Sequence, residues 1–66
     1  MKIMVNGEEH PIQEERTVAD LVEKLGFSEK PCAIELNRMV VRRADHAQTE
    51  LVDGDLIEIV TLVGGG

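Results

Sequence analysis

The chain has 66 residues, 42% of them apolar and only Phe27 aromatic, so it is long enough for one small domain and excludes a second. A drug-sized pocket would be lined by apolar and aromatic groups that this chain needs for its single core, which disfavours a deep private active site. Thirteen acidic residues against seven basic give a net charge of −6, which repels phosphate backbones, disfavours nucleic acid as a partner and favours basic protein surfaces.

The cysteine content and the hydropathy pattern indicate the compartment. Cys32 is the only cysteine, so no disulfide forms within the chain, as is typical of proteins in a reducing environment. No apolar run approaches the ~20 residues of a membrane span, and the N-terminal run is too short for a signal peptide. We therefore expect a cytoplasmic protein with no membrane association.

The N-terminal segment has the pattern of a β-hairpin. Residues 2–6 alternate between apolar and polar sides, and Asn6-Gly7 is the strongest short signal for a type I′ turn. A second strand is expected over residues 8–13. It should lie at a sheet edge, because Pro11 has no amide proton to donate to a neighbour.

A helix is predicted to follow the hairpin. Thr17 and Asp20 have the spacing of a capping box, in which each side chain bonds the other residue's backbone. The apolar positions recur with helical spacing, and Gly26 can adopt the left-handed conformation that ends a helix. The apolar stripe consists of Val18, Leu21, Val22 and Leu25.

The second half of the chain predicts three more segments. Residues 32–36 alternate as a third strand, Asn37-Arg38 forms a turn, and residues 39–41 are a short apolar run. The polar residues 42–50 are expected to form a loop or a single irregular helical turn.

Residues 56–63 follow the turn at 53–55 and are apolar on both faces, interrupted only by Glu58. Such a strand is usually central, so it should lie beside the first strand and parallel to it. The order ββαββ therefore predicts an α+β fold over residues 1–63, a β-grasp roll in which one helix packs on one face of a mixed sheet.

The sequence finishes with Gly64, Gly65 and Gly66, directly after the apolar strand. Three glycines form the thinnest possible peptide, which suits threading into a narrow partner site. The α-carboxylate of Gly66 would be ionised at neutral pH and would be a handle for chemical activation. The alternative is an ordinary frayed terminus, so residues 64–66 are expected to be a flexible tail in either case.

Over its whole length the chain resembles the ubiquitin-like β-grasp sulfur carriers of the ThiS/MoaD family. The motif that carries the resemblance best is the triglycine after an apolar strand. The matching segments are Val5-Asn6-Gly7, Thr17-Val18-Ala19-Asp20-Leu21, Ala33-Ile34-Glu35-Leu36-Asn37, Asp53-Gly54-Asp55 and residues 58–66. The chain departs from many relatives at Arg42 and His46, where those relatives carry proline and tryptophan.

The resemblance implies a carrier protein rather than an enzyme, with no catalytic residues and no bound cofactor of its own. A ThiF-like adenylating enzyme would use Mg-ATP to convert the Gly66 carboxylate into an acyl adenylate. Sulfur from a cysteine desulfurase system would then displace AMP. The resulting Gly66 thiocarboxylate would donate sulfur to a ThiG-like thiazole synthase for the thiazole of thiamine. The chain itself lacks the glycine-rich motifs of an ATP site.

A docking surface for these partners is expected on the outer face of the last strand. Val60 and Leu62 share that face with Glu58, and Met4 of the first strand should lie beside them. Apolar side chains on this face, next to the tail, favour a partner-docking patch. Burial in a homodimer, or under the irregular segment, is the alternative.

The remaining reactive side chains have simpler interpretations. Cys32 shares a strand face with apolar residues and is expected to be buried rather than reactive. His10 and His46 have no ligand spacing with Cys32, so no metal site is expected. The acidic side chains near the first hairpin are expected to be solvated surface: Glu8, Glu9, Glu14 and Glu15.

Three other functions stay open from the residues. The chain could carry sulfur for molybdopterin synthesis or tRNA thiolation. It could be a ubiquitin-like modifier, joined through Gly66 to lysine amines. It could also be a non-covalent binding module, for which residues 64–66 would be dispensable.

Overall fold

The structure is a computed structural model that describes residues 1–62. It contains five strands, one α-helix and one 3₁₀ helix. In chain order these are β1 (Lys2–Val5), β2 (Glu8–Pro11), α1 (Val18–Lys24), β3 (Cys32–Leu36), β4 (Met39–Val41), the 3₁₀ helix (Arg43–Gln48) and β5 (Leu56–Thr61). None of the helices within residues 1–62 is long and apolar enough to cross a membrane.

The five strands form one mixed sheet in the order β2-β1-β5-β3-β4. β5 is central and runs parallel to β1, whereas the other neighbours are antiparallel. The predicted central position of the last strand is therefore confirmed. β5 ends at Thr61, earlier than the predicted boundary at residue 63, and Val63 lies outside the described residues.

Both hairpins turn through residues in the left-handed region. Asn6 and Gly7 have φ of 51° and 84°, which confirms the predicted type I′ turn, and Asn37 and Arg38 have φ of 51° and 71°. β2 ends at Pro11, two residues before its predicted end. The reason is that the amide of Gln13 donates to a carboxylate oxygen of Glu15, at 3.2 Å, and not to a strand.

Helix α1 begins with the predicted capping box. The amide of Asp20 donates to Thr17 Oγ1 at 3.2 Å, and the amide of Thr17 donates to Asp20 Oδ2 at 3.1 Å. Hydrogen bonds from the amides of Arg16 and Thr17 hold the pKa of Asp20 below its usual range. Gly26, at φ 85°, ends the helix as expected.

The core lies between α1 and one face of the sheet. Aliphatic side chains of α1 pack there against those of β1, β3 and β5, with one residue from the segment after the 3₁₀ helix. The buried residues are Ile3, Val18, Leu21, Val22, Ile34, Leu51, Ile57 and Ile59. The other face of the sheet carries no helix among residues 1–62.

The expectation that Glu15 would be solvated is wrong. Its side chain is buried, its Oε1 atom lies 3.4 Å from Lys24 Nζ, and its Oε2 atom accepts the Gln13 amide. Burial opposes ionisation, but the hydrogen bonds from backbone amides and the Lys24 ammonium outweigh it and hold the pKa of Glu15 below its usual range. This carboxylate therefore closes the loop between β2 and α1.

The polar segment 42–50 contains the helical turn allowed by the sequence, a 3₁₀ helix. His46 is buried on it, and its Nε2 atom lies 3.0 Å from the Val41 carbonyl oxygen. This contact ties the end of β4 to the 3₁₀ helix. Arg42 is the N-cap of that helix, so both departures from the family pattern lie at this connection.

Candidate docking surface and carrier terminus

The central strand β5 presents two different faces. Ile57 and Ile59 point into the core, while Leu56 and Val60 remain 42% and 49% exposed on the opposite side. The uncovered side is called the open face below. A strand that is apolar on both sides, but covered by core on only one, leaves apolar surface available for a partner.

Neighbouring strands extend the open face on both sides of β5. Met4 of β1 pairs with Leu56, and Ala33 of β3 pairs with Val60. Val40 of the edge strand β4 pairs with Glu35 and is 71% exposed. The open face is therefore defined by Met4, Ala33, Glu35, Val40, Leu56, Glu58 and Val60.

The structure brings together two of the three residues expected to dock a partner. Met4 and Val60 lie on the open face, on the neighbouring strands β1 and β5. Leu62 lies just beyond β5 and is half exposed, and its amide donates to the Pro31 carbonyl oxygen at 2.9 Å. Leu62 is thus held at the end of the sheet. The docking role of these residues remains a prediction.

The sequence interpretation missed Ala33, Glu35 and Val40 as members of this face. The sequence shows the alternation within β3 and β4, which divides each strand into two sets of residues on opposite faces. Which set shares a side with Val60 depends on the pairing register of β3 against β5. The register that the structure supplies places Ala33 opposite Val60 and Glu35 opposite Glu58.

Two carboxylates lie side by side within this apolar surface. Glu35 and Glu58 are directly opposite residues of the antiparallel pair β3 and β5, so their side chains point to the same side. Among residues 1–62, ion pairs connect Lys2 to Glu9, Lys24 to Glu15 and Arg42 to Asp45, and none of them reaches Glu35 or Glu58. The open face thus combines exposed aliphatic groups with a concentrated negative charge.

The second half of β5 is held by a side chain from the first hairpin. The amide of Ile59 donates to Asn6 Oδ1 at 2.8 Å, and Asn6 Nδ2 donates to the Ile59 carbonyl oxygen at 3.4 Å. Backbone pairing between β1 and β5 covers Met4 and Val5, and the Asn6 amide donates to the Ile57 carbonyl oxygen at 2.9 Å, so the Asn6 side chain extends the contact to Ile59. Gly64, Gly65 and Gly66, the predicted threading tail and its modified residue, lie outside the described residues.

The other candidate side chains do not converge on a site. Cys32 is partly buried on the core face of β3 and packs against the core, as expected. His10 lies on the strand β2 and His46 on the 3₁₀ helix. Within residues 1–62, no three or more His, Cys, Asp and Glu side chains are grouped so as to hold a metal ion.

A profile of the ThiS family matches residues 3–66 of the sequence. The chain belongs to the ThiS family. A solved ThiS structure, the thiamine biosynthesis protein of Geobacter metallireducens, superposes with a TM-score of 0.82 and 29% sequence identity, and the match covers both chains completely. The predicted β-grasp arrangement of a mixed sheet and one helix is therefore confirmed.

Two kinds of curated relative match the chain. The sulfur carrier protein ThiS of Thermus thermophilus is 33% identical over 64 residues, which is 97% of this chain and 98% of the relative. The thiazole synthase of Paramagnetospirillum magneticum is 39% identical over all 66 residues. The chain spans only 20% of the length of that synthase, and the same share of the thiazole synthase of Magnetococcus marinus.

Proposed function

We propose that this ThiS-family chain is a sulfur carrier of thiamine biosynthesis and that Gly66 carries the sulfur. The observation that best supports the proposal is the nearly end-to-end match to a relative named as a sulfur carrier protein, together with the family match that runs through the glycines to residue 66. The chain acts as a substrate of other proteins in the cytoplasm, and is not itself a catalyst.

The chemistry takes place on the Gly66 carboxylate. An ionised carboxylate resists nucleophiles, so it is first activated. A ThiF-like adenylating enzyme joins it to the α-phosphate of Mg-ATP, and pyrophosphate leaves. The terminal sulfur of a persulfide, supplied by a cysteine desulfurase system, then attacks the acyl carbon, and the bond to AMP breaks. A thiol reduces the remaining sulfur-sulfur bond and leaves the thiocarboxylate.

Thiazole synthesis is the proposed destination of the sulfur. Two relatives named thiazole synthase match over the whole of this chain while being about five times longer, so a segment similar to this chain is part of those proteins. A carrier joined to its acceptor enzyme in one polypeptide supports a ThiG-like thiazole synthase as the partner of the separate chain. The same observation favours thiamine over molybdopterin or tRNA as the destination.

The open face and the tail have separate roles in this proposal. Met4, Val60 and Leu62 contribute apolar surface that docks the folded domain on a partner. Gly64 and Gly65 then lead Gly66 into the narrow passage where chemistry occurs, since a peptide without β-carbons has the smallest cross-section. The hydrogen bonds from Asn6 to Ile59 and from Leu62 to Pro31 hold the chain against the sheet as far as residue 62.

The first test is the intact mass of the protein after incubation with a ThiF-like adenylating enzyme, Mg-ATP and a persulfide donor. We expect a mass gain equal to the replacement of one oxygen by one sulfur, and fragmentation should place it on Gly66. The control variant Gly65→Val should fold normally yet release no pyrophosphate, because a β-branched side chain does not fit the passage.

Other outcomes point to the other functions. An unchanged mass with no pyrophosphate release would contradict the carrier function and favour a non-covalent binding module. Pyrophosphate release followed by isopeptide-linked conjugates to lysine amines, with no thiocarboxylate, would favour a ubiquitin-like modifier.

A further inference from the structure

The paired carboxylates of the open face indicate what kind of surface docks there. Resting on the carrier function proposed above, we propose that the open face binds a basic protein surface that inserts a cationic side chain, an arginine, between Glu35 and Glu58. The occupant is thus a partner enzyme that presents a guanidinium surrounded by apolar groups, and not a second copy of this chain.

The fold gains nothing from placing Glu35 opposite Glu58. Like charges at directly opposite positions of neighbouring strands destabilise a sheet, and Glu35 and Glu58 are such a pair in the register of β3 and β5. None of the other opposite pairs on these strands joins two charged residues, and Ala33 with Val60 on the same face combines apolar groups. A destabilising arrangement at the centre of an exposed face is a typical feature of a recognition surface.

The two carboxylates have apolar neighbours on the open face. Leu56 and Val60 flank Glu58 along β5, and Val40 lies beside Glu35 on β4. When a partner covers these apolar groups, water is excluded and the local dielectric constant falls, so an ion pair among them strengthens. Arginine suits the position, because its planar guanidinium donates to two carboxylates at once and is weakly hydrated.

Charge opposes a homodimer on this face. Two open faces packed together would bring four carboxylates into one apolar interface, and each chain already has a net charge of −6. Like charges juxtaposed in an interface oppose association strongly. Lys2 of β1 is already paired with Glu9 at 2.7 Å. Charge complementarity therefore favours a basic partner.

The test compares two double variants with equal changes in net charge. Glu35→Gln with Glu58→Gln removes the carboxylates of the open face but keeps their size. Glu23→Gln with Glu29→Gln removes two exposed carboxylates that lie away from the sheet, one on α1 and one on the connector to β3. For each variant one measures the KM for the carrier in pyrophosphate release by the ThiF-like adenylating enzyme, and the Kd for the ThiG-like thiazole synthase, at low and high salt.

We expect the open-face variant to raise the KM or the Kd roughly tenfold at low salt and to lose most of its salt dependence. The control should change either value less than about twofold. The melting temperature of the open-face variant should equal or exceed that of the parent, because a repulsion has been removed.

Four results would overturn the inference. Unchanged KM and Kd for the open-face variant would leave the carrier function intact but show that the carboxylates do not contact a partner. Equal losses in both variants would assign the effect to net charge alone. Tighter dimerisation in sedimentation when Glu35 and Glu58 are neutralised would show that the open face binds a second copy of this chain. If the parent chain itself releases no pyrophosphate, the proposed function fails, and the inference fails with it.

Discussion

The side chain of Asn6 hydrogen-bonds both backbone groups of Ile59, which lies 53 residues later in the chain. Asn6 thus has two roles. It adopts the positive φ that the first hairpin needs, and it holds the last strand in place beyond the end of its pairing with β1. The contact connects the first turn of the sequence to the strand that leads to the glycines.

Replacing Asn6 with glycine separates these two roles. Asn6→Gly retains the backbone conformation of the turn but removes both hydrogen bonds to Ile59. We expect the free energy of unfolding in urea to fall by about 1 to 2 kcal/mol, because the amide and carbonyl of a buried residue lose their partner. Asn6→Asp keeps the acceptor for the Ile59 amide and should lose less. Equal stability of Asn6→Gly and the parent would contradict this role.

The sequence predicted the turn at Asn6 but not its second contact. An Asn-Gly pair is fully explained by the positive φ values of a type I′ turn, so the pattern held no further signal. The second role depends on where residue 59 arrives in three dimensions. By contrast, the strand order and the capping box of α1 were predictable, because alternation and local spacing encode them directly.

The second hairpin has a similar contact, and its two turn residues are predicted to change stability in opposite directions when each is replaced by glycine. Asn37 donates to the buried carboxylate of Asp55 at 3.1 Å and accepts from the amide of Leu56 at 3.0 Å. Asn37→Gly should therefore lower the free energy of unfolding by about 1 to 3 kcal/mol. Arg38, the next residue, has a φ of 71° without such contacts among residues 1–62. Arg38→Gly should raise stability by about 0.5 to 1 kcal/mol, because it relieves the left-handed strain.

Urea titration of both variants checks this pair of predictions. A loss of stability in Arg38→Gly would mean that the arginine side chain contributes more than its backbone conformation costs. An unchanged stability of Asn37→Gly would mean that water replaces the asparagine at Asp55.

The buried carboxylate of Glu15 predicts a pH dependence. Its pKa is held below the ordinary value of 4.5 in the folded chain. The ionised form therefore stabilises the fold above pH 4.5, and this contribution is lost as the pH falls through the lowered folded-state pKa. Glu15→Gln, which cannot ionise, should be less stable than the parent at pH 7, and the difference should shrink steadily below pH 4.5.

Thermal unfolding of the parent and Glu15→Gln between pH 7 and pH 3 measures that difference. The neighbouring variant Glu14→Gln is the control, since the Glu14 side chain is exposed and should show no comparable gap. A constant gap at all pH values would assign the effect of Glu15 to packing and not to its charge. The sequence could not distinguish these two glutamates. What separates them is contact in the folded chain, where the amide of Gln13 and the ammonium of Lys24 both bind Glu15.

The open face predicts that Val60 binds a partner without supporting the fold. Its side chain is half exposed and points away from the core, so Val60→Lys should change the free energy of unfolding by less than about 1 kcal/mol. The same variant should raise the KM of the ThiF-like adenylating enzyme for the carrier at least about tenfold, since a charged side chain resists desolvation at the centre of an apolar contact.

Val52→Lys is the matched control for this variant. Val52 is also an exposed valine, at 58%, but it lies in the loop before β5 and not on the open face. It changes the net charge equally, so any general effect of charge on association appears in both variants. A normal KM for Val60→Lys would remove the open face from docking. A large loss of stability would instead mean that the Val60 side chain contributes to core packing, because an exposed strand position tolerates lysine at little cost.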